Sequence, residues 1–260
     1  EDNVFPNTLG RVCTRPCEDA CRYQWTSTRK AVHICHLKRA AADRVKSTPL
    51  QPWFEPSGKK VAIIGSGPAG LSTARELKRY GHEVTIFERA HKPGGQMRAI
   101  PAFRLPDNEV EEDINAILDS GIELKLNESV DHDRLCAMLE EYDALLAATG
   151  TNRPVNIPLD GLPEGVALEG LHFMMQYNEG QAPEIKGDVV IIGGGFTAVE
   201  CARSARRVAP ARPQGNRALE FLLQRLRPLG EGDHAELERG DEGAIGKLEG
   251  PVAITHLVAG

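Results

Sequence analysis

The chain has 260 residues and a formal net charge of −6, with 41% hydrophobic and 26% charged residues, enough for about two globular domains. That balance gives no reason to expect a nucleic-acid partner, and no apolar run approaches the ~20 residues of a membrane span. The first residues, EDNVFPNTLG, lack the basic start and apolar stretch of a secretion signal, so six cysteines in a chain of this size point to a reducing, cytoplasmic compartment, where clustered thiols bind metal or do redox work more often than they form disulfides.

Residues 1–48 read as a small helical module. It opens with GRVCTRPCEDAC, in which Cys13, Cys17 and Cys21 follow C-x3-C-x3-C spacing. Cys17 and Cys21 stand at i and i+4 and share one helical face, while Pro16 breaks the chain so that Cys13 turns inward from a loop. A helix is expected over 31–44, with Val32, Cys35 and Leu37 on roughly one side. Thiolates at this spacing suit an iron–sulfur cluster, or a structural zinc with His33 or His36 as further ligands. Residues 49–59, rich in proline, form a linker.

Residues 60–155 read as a dinucleotide-binding domain of strand, Gly-rich turn, helix and strand. Its apolar runs suit a parallel sheet covered on both faces. The strand Val61–Ile64 leads into Gly65, Ser66, Gly67, Pro68, Ala69 and Gly70, a G-x-G-x-x-G turn. The first glycine allows the tight turn, the second lets backbone approach a pyrophosphate, and the third lets helix and strand pack closely. The helix N-terminus then faces the phosphates. Glu88 ends the next strand, where a carboxylate accepts hydrogen bonds from the adenosine ribose. In GGQM, the adjacent glycines Gly94 and Gly95 let backbone lie against a flat ring system. Arg104 stands in PAFRLP, and AATG closes the stretch at Gly150.

Residues 156–187 are a connecting segment. Residues 188–260 open a second dinucleotide fold, in which Gly193, Gly195 and Ala198 match G-x-G-x-x-A after the strand Val189–Ile192, with Gly194, Phe196 and Thr197 inside the turn and helix start. ALEFLLQR is the expected second strand and PVAITHLVAG the third. Arg225 and Arg227 near the second strand's end favour the 2′-phosphate of NADP over the 2′-hydroxyl of NAD; the alternative reading is a solvated basic surface. Cys136 and Cys201 sit in apolar helical patterns and are expected in the core.

Two dinucleotide sites in one chain are most simply a held flavin and an exchanging nicotinamide. A flavin turns a two-electron donor into single electrons, and the clustered thiols offer those electrons an iron–sulfur acceptor. The motifs GRVC…PCEDAC, AV.IC.LKR..AD, VAIIGSGPAGL, FERA, PGGQMR…IPAFRLP, AATG and VVIIGGGFTAVECAR, in this order, resemble the glutamate synthase small-subunit family of FAD- and NAD(P)H-binding iron–sulfur oxidoreductases, which includes the electron-input part of dihydropyrimidine dehydrogenase.

That resemblance implies an α/β fold with a small α-helical iron–sulfur domain followed by two Rossmann-like domains, the second and the FAD domain truncated in this chain. It implies 4Fe–4S ligation by Cys13, Cys17 and Cys21. The fourth ligand stays open, because relatives carry a further cysteine where this chain has Leu9; Cys35 either completes the site or belongs to a second cluster. The resemblance further implies FAD contacts at Ser66 to Ala69, Glu88, Gly95, Gln96, Arg104 and near Val130. It implies nicotinamide-nucleotide contacts at Gly194 to Thr197 and Arg225, and a catalytic partner subunit that receives electrons in a hetero-oligomer. Relatives return to the FAD domain after the nucleotide domain, so the chain is expected to be part of a longer protein or of a truncated reading frame. A non-catalytic assembly subunit is the competing expectation. A thiol–disulfide flavoenzyme would need C-x-x-C or C-x4-C, and neither occurs.

Overall fold

The computed structural model describes residues 3–26, 29–45, 50–151, 167–185, 189–193, 195–208 and 252–254. It divides into two compact units, Glu1–Arg98 with Ala102–Gly150, and Ala99–Pro101 with Thr151–Gly260.

The first unit is built on a parallel sheet of order β3-β2-β1-β4. Its strands are β1 (Lys60–Ile64), β2 (Glu83–Phe87), β3 (Glu123–Lys125) and β4 (Ala144–Ala147). β1 is central, with Val61 opposite Val84 of β2 and Ala144 of β4. Ala62, Ile63 and Ile86 are fully buried, as expected where helices cover both faces of a parallel sheet. The helix α4 (Pro68–Arg79) begins on a proline at its first turn and carries Lys78 and Arg79 in its last, each where the helix end favours it. The helices α5 (Asp107–Leu118) and α6 (His132–Glu141) follow, and the Asp131 side chain caps α6 by accepting from the Arg134 amide.

The N-terminal helices α1 (Pro6–Val12), α2 (Pro16–Asp19) and α3 (Ile34–Ala42) belong to this same unit. α1 crosses α3 at Gly10, where a Cβ would stand 3.0 Å from the Arg39 Cα; only glycine lets the two backbones approach so closely. The start of α1 lands on α5. Asp113 Oδ1 accepts from the Asn7 amide at 3.2 Å and from Asn7 Nδ2 at 3.1 Å, and Oδ2 accepts from the Thr8 amide at 2.8 Å. Arg11 Nη2 pairs with Glu109 at 2.6 Å and Asp43 at 2.8 Å. The expected helix over 31–44 is shorter, and of its three apolar positions only Cys35 is buried, Leu37 being 62% exposed. The face that meets Gly10 is too narrow to cover the others.

The second unit holds a parallel sheet of order β5-β7-β6, made of β5 (Ala167–Glu169), β6 (Val190–Ile192) and β7 (Val252–Ile254). β7 is the strand expected in PVAITHLVAG, whereas ALEFLLQR lies outside the described residues. The helices α7 (Gly170–Asn178) and α8 (Phe196–Val208) enclose Phe173, Met174, Ile191, Cys201 and Ala202. Glu169 caps α7 by accepting from the Leu171 and His172 amides. The stretch 156–187, expected as a connection, thus carries β5 and α7.

Candidate functional site

The first Gly-rich turn joins β1 to α4. Gly65 has φ +105°, and a Cβ there would lie 2.4 Å from the Ala148 carbonyl oxygen. A Cβ on Gly70 would meet the Gly65 carbonyl oxygen at 2.0 Å, so the third glycine is fixed by helix–strand contact. Gly67 is the N-cap of α4 and Pro68 its first residue, which leaves the positive end of the helix dipole at the turn.

Glu88 follows β2 and is 7% exposed. Its Oε2 accepts from the Ser66 amide at 2.8 Å and the Ser66 hydroxyl at 2.7 Å, and its Oε1 accepts from the Ala90 amide at 2.8 Å. The carboxylate therefore ties the Gly-rich turn to the end of β2. The GGQM loop lies against the same turn: the Gly94 amide donates to the Ser66 carbonyl at 3.0 Å, and a Cβ on Gly95 (φ +54°) would come 2.8 Å from the Gly67 Cα. Gly95 is thus held by backbone against backbone. Ser66 to Gly70, Glu88 and Gly95 come together at the carboxyl ends of β1 and β2, where ligands bind in open α/β sheets. Gln96 is exposed on the same loop, and Gly150 (φ +71°) is exposed after β4. Val130 packs beside Ala62, Phe87 and Met138. Arg104 has a partner that motif reading missed: its Nη2 donates to the Val12 carbonyl at 3.2 Å, one residue before Cys13.

In the second unit, Gly193 (φ +132°) turns the chain after β6. Gly195 has open space at its Cβ position, Phe196 at the start of α8 is 62% exposed, and Ala198 is 2% exposed in the core. Thr197 is half-buried between them. Gly194, Arg225 and Arg227 lie outside the described residues.

The N-terminal thiols divide by burial. Cys13 closes α1, Cys17 is exposed on α2, Cys21 precedes the 3-10 turn Arg22–Trp25, and Cys35 is buried in α3. Cys35 Sγ donates to the Gly10 carbonyl at 3.5 Å, and its amide donates to Glu18 Oε1 at 3.3 Å. Glu18 Oε2 stands 3.4 Å from His33 Nδ1. Glu18, between Cys17 and Cys21 in sequence, therefore ties their turn to the start of the Cys35 helix. Burial, with the Cys13 sulfur alongside, pushes the Cys35 thiol above its usual range. Amide hydrogen bonds from Val32, Tyr23 and Gln24 hold Cys21 below it, which favours the thiolate that metals and clusters require. Among the described residues no three Cys, His, Asp or Glu side chains converge as a ready metal-ligand group. The donor set itself, four thiols in one small module with Cys13 and Cys35 adjoining, has the chemistry an iron–sulfur cluster takes.

Two further cysteines separate. Cys201 is fully buried as expected, and burial pushes its thiol up to about 12, with Glu200 and Glu169 adding. Cys136, expected in the core, is exposed, its Sγ 3.7 Å from His132 Nε2. The buried face of α6 centres on Met138, and Cys136, two residues away, points to the other side.

Residues 59–219 match the family described as pyridine nucleotide-disulphide oxidoreductase. The chain belongs to this family. It is 35% identical over 227 residues to the glutamate synthase (NADPH) small chain of Bacillus subtilis, covering 79% of this chain and 44% of that one. It is 36% identical over 253 residues to the NADP(+)-dependent formate dehydrogenase subunit beta of Moorella thermoacetica, covering 86% and 35%. The putative oxidoreductase YgfK of Escherichia coli O157:H7 is 35% identical over 79% of this chain and 20% of its own length. The chain thus spans less than half of each of these relatives. The structure of a 2-naphthoyl-CoA reductase in complex with 2-naphthoyl-CoA superposes with a TM-score of 0.53 at 22% identity, over 92% of this chain and 38% of that one, and shows the same fold. The resemblance and the α/β fold expected from the motifs are borne out. Membership indicates FAD and a pyridine nucleotide as the dinucleotides. No described helix is long and apolar enough to cross a membrane.

Proposed function

We propose that the chain is the electron-input part of a larger cytoplasmic oxidoreductase. NAD(P)H gives hydride to FAD, and single electrons continue through a 4Fe–4S cluster to a catalytic partner subunit in a hetero-oligomer. In this reading 1–48 is the iron–sulfur domain, 60–155 carries FAD and 188–260 the nicotinamide nucleotide. The observation that carries it is the fastening of the thiol module to the first Gly-rich fold: Arg104 donates to Val12, beside Cys13, while Asp113 takes the start of α1.

The cofactors carry the redox chemistry, so the chain's own residues bind and orient. Ser66 to Gly70 lay backbone against a pyrophosphate at the α4 N-terminus, and Glu88 accepts the adenosine ribose hydroxyls while holding Ser66. Gly95 keeps the GGQM loop pressed to the turn, with Gln96 on that loop. Phe196 and Thr197 stand where α8 begins in the second site. Cys13, Cys17, Cys21 and Cys35 are the cluster ligands, with Glu18 setting the approach of Cys35 to the other three.

Anaerobic addition of NADPH is expected to bleach the flavin absorbance of the purified chain. A spectrum that stays unchanged with NADPH and NADH alike would make it an assembly subunit. Glu88→Ala removes charge-assisted hydrogen bonds worth roughly 1.5–3 kcal/mol, and FAD affinity is expected to fall at least about tenfold by titration. Unaltered affinity would place the ribose elsewhere. After anaerobic reconstitution the chain is expected to hold about four irons, as a 4Fe–4S site requires, and Cys35→Ser to lose most of them. Full iron in Cys35→Ser would remove Cys35 from the ligand set.

A further inference from the structure

Between Arg15 and Arg39 the helical module carries six Lys/Arg against two Asp/Glu, in a chain of net charge −6. One of the two acids, Glu18, is only 12% exposed and is engaged by the Cys35 amide and His33. The solvent side of this stretch is therefore basic. It also leaves large apolar side chains in water: Trp25 is 72% exposed, Leu37 62%, Tyr23 51% and Ile34 45%. Their segments adjoin, because Glu18, three residues before Cys21, takes the Cys35 amide at 3.3 Å and stands 3.4 Å from His33 at the start of α3.

The basic and aromatic groups are interleaved. The Arg22 guanidinium lies over the Trp25 ring, 5.5 Å from its centroid, and that of Arg29 over Tyr23 at 4.6 Å. A guanidinium resting on an aromatic face is partly immobilised before any partner arrives, and its planar fork still matches a carboxylate. Scattered exposed hydrophobics need no explanation, but a patch rimmed by polar groups marks an interaction site. Trp, Tyr and Arg are the side chains that anchor protein interfaces. Single-stranded nucleic acid also stacks on aromatics beside arginine, yet the exposed aliphatics Ile34 and Leu37 offer it nothing, and they fit the apolar centre of a protein contact.

We propose that this face around Cys21 is the docking surface for an acidic one-electron carrier protein, with Tyr23 and Trp25 as apolar anchors and Arg22 and Arg29 as carboxylate contacts. The identity of the partner rests on the electron-input reading above. The opposite signs of patch and carrier steer the encounter, and the position of the patch beside Cys21 brings the carrier to the thiol module.

The test uses the full chain with an acidic plant-type 2Fe–2S ferredoxin as probe, by calorimetric titration at low ionic strength. Binding is expected, weakening with added salt, and the double variant R22E/R29E is expected to weaken it at least about tenfold and flatten the salt dependence. W25A is expected to weaken it about tenfold with the salt slope intact, as loss of an interface anchor does. Flavin content and NADPH-driven ferricyanide reduction stay at wild-type levels in both variants, which separates docking from misfolding. Four results would overturn the proposal: no binding by wild type, equal binding by R22E/R29E, tighter binding of a single-stranded oligonucleotide than of the ferredoxin, or a dimer of this chain that R22E/R29E abolishes. Ferredoxin binding that depends on Arg22 and Arg29 in a chain unable to reduce ferricyanide would sink the electron-input reading and leave the docking surface standing.

Discussion

Gly70→Ala is expected to cost about 3 kcal/mol or more in stability and to abolish FAD retention. The new Cβ would stand 2.0 Å from the Gly65 carbonyl oxygen and 3.2 Å from Ile63 Cγ2. The first obstacle is backbone and cannot turn aside, so α4 has to move off β1. α4 also carries Leu71 and Ala74, both fully buried, and shifting it opens the core they fill. Gly195→Ala is the matching control: nothing lies within 4 Å of its Cβ position, and the change is expected to stay within about 0.5 kcal/mol. Urea denaturation of the two variants checks the pair. A Gly70→Ala protein as stable as wild type would mean that the turn does not pack as described.

Asp113→Ala is expected to release the N-terminal helices from α5, at a cost of roughly 3 kcal/mol, because it leaves buried amides of Asn7 and Thr8 without an acceptor. Limited proteolysis should then cut within residues 3–45 under conditions where the rest of the unit survives. The pH dependence has a definite sign. Burial pushes the Asp113 carboxyl above its ordinary 3.8, against the hydrogen bonds from Thr8 and Asn7. A raised acid binds its proton more tightly in the folded state. Its contribution is therefore fully present below 3.8 and is lost as pH rises through the folded value. Asp113→Asn, which cannot titrate, is expected to flatten this slope in thermal melts. An unchanged slope would assign the effect to another group.

The parts of the molecule legible in sequence were those written locally. β1, the turn from Gly65 to Gly70, α4, β2 and Glu88 lie within 29 consecutive residues, Lys60–Glu88, and each position has a backbone reason visible in its neighbours. The partners of Glu88 were less visible: the expectation aimed its carboxylate at a ribose, and the fold adds Ser66 and Ala90. The Asp113 contact was hidden, because its donors are 105 and 106 positions away and nothing in DNEVEEDINAIL sets one acid apart from its neighbours. The partner of Arg104 was hidden for the same reason. Leu37 and Cys136 fell on the wrong side because short amphipathic helices allow more than one apolar face, and tertiary contact chooses among them. β5, three residues long, is too short for any periodicity to announce.

β1 sits in the middle of its sheet, yet the strand that closes its second edge pairs Ala144 with Val61. During synthesis at about 5–20 residues per second, the 83 positions from Val61 to Ala144 (144 − 61) take roughly 4–17 s to appear. Throughout that interval an apolar strand has one unpaired edge, the kind of surface that recruits stray strands from other nascent chains. Asp113 arrives in the same period and secures the start of α1, so α1 waits on α5 for its anchor. What covers that edge of β1 before β4 arrives therefore bears on how much chain folds, alongside the stability of the finished sheet.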